Sequence, residues 1–263
     1  MKRRTLILLG VAVFLVALLL RMPAVQLQRM VGTSLSQTGV QLHGLEGSFS
    51  AGRAAQVDLQ GNPLVQDLGW NLRAVQLLLG RASFTLAGGR DGTLVDGVAY
   101  FVPSGALTLQ DFKLASPLKG VLAAAGFAFV PFEGQLGLDL HKMKLRERWP
   151  RQAQGTLTVR GLSWKLGREA VLLGDYSATL DNETGGVKAD IATLGGSLEV
   201  SGKARLGDDR TYEVILQMRP RPGAPPMVPN LVRNLGVPDA QGWYHVQRKG
   251  QLGTPAAATP PAS

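Results

Sequence analysis

Histidines and cysteines are the first side chains to consider for catalysis or metal binding. The sequence has three histidines, His43, His141 and His245, and no cysteine. None of the histidines has a second ligand-type residue at metal-binding spacing, so we interpret each as a polar strand residue. The sequence therefore predicts no metal site and no cofactor.

Two acidic pairs could act as acid and base. Asp208 with Asp209, and Asp181 with Glu183, both lie in turn-like sequence. Aspartate is common in turns because its carboxylate accepts hydrogen bonds from nearby backbone N–H groups. The sequence also lacks a Gly-x-Ser-x-Gly segment and the glycine-rich loops that hold phosphates or dinucleotides. These observations predict that the protein is not an enzyme.

The densest run of charge lies between residues 142 and 151. Within it, Arg146, Arg148, Trp149 and Arg151 are candidate partner-contact residues, because Trp and Arg are common anchors of protein interfaces. The alternative is a solvated loop or strand face. The formal net charge is +9. Four basic residues flank the N-terminal apolar segment, which leaves +5 for the rest of the chain. This mild excess favours a surface near anionic lipid headgroups over nucleic-acid binding.

The most apolar stretch is Thr5 to Leu20, which reads TLILLGVAVFLVALLL and follows three basic residues. A membrane-spanning helix needs about 20 apolar residues, and residues 22–25 extend the run. We predict a cytoplasmic start at 1–4 and an uncleaved transmembrane signal-anchor at 5–25. A cleaved signal peptide is the alternative, although no convincing small-x-small cleavage site is present. The basic flank stays cytoplasmic, so the rest of the chain lies across the membrane.

Apolar and polar residues alternate through most of the remaining sequence. In the last long example, Tyr212, Val214, Leu216 and Met218 alternate with more polar neighbours. Such alternation predicts strands with one apolar face, and glycine-rich segments between them predict turns. Short helices are predicted within 117–129 and 228–235, and a last strand within 243–247. The fold class is therefore mainly β.

We expect the strands to form a meandering antiparallel sheet over residues 26–252, with a disordered Pro/Ala-rich tail at 253–263. One-sided strands need cover for their apolar face, and the sequence supplies little helix. The sheet should therefore curl into a partial barrel, trough or sandwich. A trough would leave an apolar lining open to a lipid chain or to a segment of another protein.

Several motifs occur together with this layout. After the basic start and the anchor, residues 44–54 read GLEGSFSAGRA. Residues 70–72 then give a Trp-x-Leu strand, residues 77–80 a Leu-x-x-Gly, and a Gly-Trp-Tyr strand closes the chain at 242–244. Over roughly residues 5–250 the sequence resembles the type II secretion system protein N family. It departs at residues 48–50, where family members often carry a Thr-Leu/Val-Trp type run.

The resemblance implies an accessory, non-catalytic subunit of the type II secretion apparatus of a Gram-negative cell. It implies a single-pass inner-membrane protein with a cytoplasmic N-terminus and a periplasmic β domain. The implied partners are the inner membrane and other secretion components, such as the secretin or the inner-membrane platform proteins. The family is similar in turn to AsmA-like proteins, whose β-sheet troughs are linked to lipid handling. A lipid-binding or lipid-transfer trough protein is therefore the alternative.

Overall fold

A single antiparallel sheet makes up most of the described protein. The computed structural model describes residues 40–59, 61–77, 81–102, 105–124, 130–147, 149–165 and 169–252. Thirteen strands follow one another in chain order, and each is hydrogen-bonded to the next. The strands are β1 Val40–Gly47, β2 Ala51–Leu59, β3 Asn62–Leu72, β4 Ala82–Gly88, β5 Leu94–Phe101, β6 Leu107–Pro117, β7 Phe132–Arg146, β8 Trp149–Lys165, β9 Ala170–Glu183, β10 Gly186–Gly196, β11 Leu198–Gly207, β12 Thr211–Pro220 and β13 Tyr244–Gln251.

Three short helices interrupt the described strands. They are α1 Ala74–Leu77, α2 Leu118–Ala124 and α3 Met227–Arg233. Helices α2 and α3 lie where the sequence predicts them. In helix α1, Val75 and Leu77 also fit the period of a strand, but so short a segment does not distinguish a strand from a helical turn. Val75 is 73% exposed, so no packing holds it in an extended conformation.

Among the described residues, no helix is long and apolar enough to cross a membrane. The predicted anchor at 5–25 and the predicted tail at 253–263 lie outside the described residues.

Period-two alternation accounts for the strands. In β12, Leu216 and Met218 turn toward a pocket on one face of the sheet, whereas Ile215, which precedes Leu216, is 48% exposed on the other. The connections are tight. The turn between β9 and β10 consists of Thr184 and Gly185, and Gly185 has φ +82°, a conformation that glycine adopts without steric cost. Short turns of this kind require consecutive strands to pair antiparallel.

The sheet is curled at the end that carries the β7–β8, β9–β10 and β11–β12 turns. In a flat sheet β8 and β11 would lie about 14 Å apart, three strand spacings. Yet the indole Nε1 of Trp149, which begins β8, donates a hydrogen bond to the carbonyl oxygen of Gly207 in β11 at 2.8 Å. The guanidinium of Arg151 also donates to the carbonyl oxygen of Asp208 at 2.7 Å. The strands between β8 and β11 must therefore bend around this contact.

The N-terminal half is curled as well, and α2 covers it. The hydroxyl of Ser116 in β6 donates to the carbonyl oxygen of Leu64 in β3 at 3.2 Å, although two strands separate β6 from β3. A Cβ built on Gly120 of α2 would lie 3.0 Å from the carbonyl oxygen of Pro63, which places the helix directly against β3. A buried cluster of Ala54, Val57, Val65 and Val95 fills this half.

The predicted fold class is confirmed: the protein is mainly β, with a meandering antiparallel sheet. The sheet is open, and β1 and β13 are its two edges. It is therefore not closed into a barrel. A second buried cluster lies between the sheet and α3, and consists of Leu173, Leu198, Val228, Val232 and Tyr244. The fold thus has two small cores on a curled sheet.

Candidate functional site

Each histidine lies beside one aspartate. His43 contacts Asp58 at 3.2 Å, His141 contacts Asp111 at 3.2 Å, and the Nε2 of His245 is 2.9 Å from Asp239. No group of three or more His, Cys, Asp or Glu side chains suited to holding a metal ion occurs among the described residues. Each contact therefore joins one histidine to one aspartate on the strands and loops.

Asp208 and Asp209 lie in the β11–β12 turn, as the sequence predicts, whereas Asp181 and Glu183 lie at the end of β9, next to the β9–β10 turn. Asp209 accepts hydrogen bonds from the backbone N–H and the hydroxyl of Thr211, at 3.1 and 2.6 Å, and these bonds hold the pKa of its carboxyl below its usual value. Asp181 accepts from the backbone N–H of Asn182 at 2.8 Å, which lowers the pKa of Asp181. Both carboxylates are thus charged and engaged in ordering the backbone.

The candidate partner-contact residues lie at the β7–β8 hairpin. Arg146 is exposed at the end of β7, and Arg148 lies outside the described residues. Trp149 is only 8% exposed, and its ring contacts the β11–β12 hairpin instead of solvent. Arg151 contacts Asp208 at 3.6 Å. Within the described part of this segment, Arg146 is the residue whose side chain is exposed and free to contact a partner. Partner contact at this hairpin stays a prediction.

An unbroken apolar row crosses the whole sheet. Residues that pair directly in neighbouring strands lie on the same face, so the pairings can be followed from edge to edge. The row contains only glycine and aliphatic residues and spans about 58 Å along the sheet, twelve strand spacings. Its members are Leu45, Ala54, Leu68, Gly88, Val95, Leu114, Leu138, Leu157, Ala178, Ile191, Gly202, Leu216 and Val246.

This apolar face deepens into a pocket of about 480 Å³ beneath α3. Five strands, β8 to β12, form most of its wall, together with Phe132 at the start of β7. Helix α3 and the residues that follow it form the other side. The lining residues are Phe132, Leu162, Trp164, Leu173, Tyr176, Ile191, Leu198, Val200, Leu216, Met218, Leu231, Val232 and Leu235. The volume lies within the usual range for small-molecule sites, about 300–1,000 Å³.

The pocket offers few polar atoms. Among the described lining residues Tyr176 supplies the only hydroxyl, and that hydroxyl already donates to the carbonyl oxygen of Leu198 at 2.9 Å. Burial raises the pKa of Tyr176 to about 12, against the opposing effect of the nearby Arg221 charge. The phenol is therefore neutral, and the indole of Trp164 supplies the one remaining side-chain N–H in the lining. The pocket is suited to an apolar ligand.

Helix α3 is held over the pocket from both sides. Val228 and Val232 are 0% and 1% exposed and face the sheet, one helical turn apart. Beyond the helix, Asp239 accepts hydrogen bonds from the backbone N–H groups of Gln241 and Trp243, at 3.0 and 2.8 Å. These bonds shape the loop that returns the chain to β13. The sequence predicts this helix, but nothing local in the sequence places it on strands that lie far away along the chain.

The chain matches the family profile described as "Type II secretion system (T2SS), protein N" over residues 38–247, which is well over half of its length. It is 28% identical over 231 residues to type II secretion system protein N of Vibrio cholerae, covering 81% of this chain and 86% of that protein. It is 28% identical over 261 residues to the protein of the same name from Aeromonas hydrophila, covering 96% of this chain and 100% of that protein. No solved structure matches the chain. The chain therefore belongs to the type II secretion system protein N family.

Proposed function

We propose that this protein is an accessory, non-catalytic scaffold of the type II secretion apparatus. The observation that carries the proposal is the family match, which covers nearly the whole described sheet. The architecture supports it: a broad curled sheet with small cores offers much surface for contacts. Each histidine contacts one aspartate, and Asp209 orders the β11–β12 turn, which is consistent with a structural role.

The membrane arrangement is a second part of this proposal. Residues 5–25 anchor the protein in the inner membrane, with residues 1–4 in the cytoplasm and the β domain, 26–252, in the periplasm. The support is the basic flank before the apolar run, because positive charges are retained on the cytoplasmic side. An alkaline phosphatase reporter fused after Ser263 should be active. An inactive fusion that is present at normal levels would contradict the topology.

We propose other secretion components as the binding partners, with the exposed Arg146 as the contact residue. A photo-crosslinking amino acid at Arg146 should join the protein to the secretin or to an inner-membrane platform protein in cells. The matched control is Arg90, whose side chain is 71% exposed at the β4–β5 turn, far from this hairpin along the sheet. Equal crosslinking from both positions would argue against a specific contact.

The test of the function as a whole is a deletion strain. Loss of the gene should reduce export of a type II substrate through the outer membrane, and the intact gene should restore it. A lipid-binding or lipid-transfer role is the second candidate, and the apolar row and pocket favour it. A strain that secretes normally but has altered envelope lipids would favour this second role over the first.

A further inference from the structure

No side chain of the described residues fills the pocket beneath α3. Contiguous apolar surface that a fold leaves uncovered commonly marks an interaction site. A pocket of about 480 Å³ with an apolar lining is therefore consistent with a ligand site.

The chemistry of the lining excludes most ligand classes. A peptide brings one N–H and one C=O per residue, and each must find a partner when it is buried. The strand backbones are already paired in the sheet, and Tyr176 already donates to Leu198. A hydrocarbon chain needs no such partner. The pocket also continues the apolar row of the sheet, so it suits a long, flexible and uniformly apolar group.

Positive charge lies next to the pocket. The segment 219–243, which carries α3, contains three arginines and one acid, Asp239, which gives a formal charge of +2. Arg219 is paired with Glu199 at 2.8 Å. Arg221 and Arg233 form no ion pair with any described residue. The backbone N–H of Arg221 donates to the carbonyl oxygen of Ser197 at 2.9 Å, next to Leu198 in the lining, and Arg233 lies in the last turn of α3. Unpaired guanidinium groups attract anionic headgroups.

We propose that the pocket beneath α3 binds one acyl chain of an anionic phospholipid, with Arg221 and Arg233 facing its headgroup. The inference rests on the second function proposed above and names its site and its ligand. The acyl chain lies along the apolar walls formed by Leu216, Val200 and Leu235. The headgroup stays at the surface near the two arginines.

The test uses the full-length protein reconstituted in vesicles of phosphatidylcholine and phosphatidylglycerol. The probe is phosphatidylglycerol with a diazirine in one acyl chain, and labelled peptides are mapped after irradiation. We expect labels on α3 and on β8 to β12. Labels confined to residues 5–25 would overturn the proposal, since they would report only the membrane anchor. Because this assay does not depend on secretion, its failure leaves the scaffold function intact.

Variants distinguish labelling inside the pocket from labelling that reflects only closeness to the membrane. Leu235→Glu changes a lining residue that is 44% exposed, so the fold should persist while pocket labelling falls roughly tenfold, because a carboxylate is poorly tolerated against a hydrocarbon chain. Leu216→Glu is tested after thermal melting has shown that this variant is folded, and it should lower pocket labelling to the same extent. Ile215→Glu is the matched control, since Ile215 is 48% exposed on the opposite face, and its labelling should be unchanged. Equal loss in Leu235→Glu and Ile215→Glu would overturn the proposal.

Two further arms define the ligand. Arg221→Gln should lower labelling by the phosphatidylglycerol probe several-fold and leave a matching phosphatidylcholine probe unaffected. Equal labelling of the unmodified protein by the two probes would overturn the proposed preference for an anionic headgroup. Labelling that disappears when the protein is purified together with another secretion component would identify a protein segment as the occupant, and would also overturn the proposal.

Discussion

Replacing Trp149 with phenylalanine tests whether a contact between distant hairpins holds the curl of the sheet. Trp149 is 8% exposed, and its indole donates to the carbonyl oxygen of Gly207 at 2.8 Å. Phenylalanine preserves most of the ring packing but removes the donor. The lost hydrogen bond should cost about 0.5–1.5 kcal/mol. The missing ring atoms should cost up to about 1 kcal/mol more.

The neighbouring Arg210 adds a smaller contribution. Its guanidinium carbon lies 6.0 Å from the centre of the Trp149 ring, and its side chain is 13% exposed. A weaker cation–π contact with phenylalanine should cost up to about 0.5 kcal/mol. The total loss in the free energy of unfolding is then roughly 0.5–3 kcal/mol. A domain of this size should lose about 2–4 °C in Tm for each kcal/mol.

The assay is thermal unfolding of the full-length protein, followed by circular dichroism. Trp164→Phe is the matched control, because it removes the same atoms from a half-buried tryptophan whose indole has no hydrogen-bond partner among the described residues. Trp149→Phe should lower Tm further than Trp164→Phe. If the two variants lose the same Tm, or if Trp164→Phe loses more, the contact with Gly207 does not hold the curl.

Three further predictions concern the core, the backbone and pH. Leu140 is 0% exposed, so Leu140→Ala should cost about 2–5 kcal/mol in denaturant unfolding, whereas the 49% exposed Leu94 should tolerate the same change. Similar losses in the two variants would contradict the burial of Leu140. Gly196 has φ +119°, and a Cβ there would lie 2.2 Å from the Cα of Gly174, so Gly196→Ala should cost about 1–3 kcal/mol. Gly195→Ala, with open space around its Cβ, is the control, and equal melting temperatures of the two variants would refute the strain. The hydrogen bond from His245 is the main reason why the pKa of Asp239 lies below its ordinary value of 3.8. The charged carboxylate of Asp239 therefore stabilises the fold above pH 3.8, and this stabilisation is lost as the pH falls through the lower pKa of the folded state. Asp239→Asn lacks this carboxylate, so the unmodified protein should lose more stability on acidification than the variant. Parallel pH profiles of Tm would contradict this.

The strands could be predicted from the sequence because their signal is local. Alternation at period two places Leu216 and Met218 on one face whatever the rest of the chain does, and the turn at 184–185 is marked by its own residues. The helix at α3 was also predictable, since proline precedes it and Gly236 follows it. These features depend on a few neighbouring residues.

The pocket and the position of Trp149 could not be predicted in this way. Trp149 meets Gly207, which is 58 residues later, and only the curl of the sheet brings them together. The basic residues around Trp149 suggested an exposed anchor, but the ring is packed against another hairpin. The pocket likewise forms only when five strands pair in the observed register and α3 folds back over them. No periodicity within one strand contains that information.

The order of the thirteen strands has a consequence for how the protein folds and how its family can change. Every strand pairs with its neighbour in sequence, so the contact order is low for an all-β protein. The sheet can extend strand by strand as the chain emerges during synthesis, without waiting for distant segments. One hairpin added or lost would lengthen or shorten the apolar face by about 10 Å, two strand spacings, and would leave all other pairings in place. The width of this face is therefore a property that evolution can adjust in steps of one hairpin.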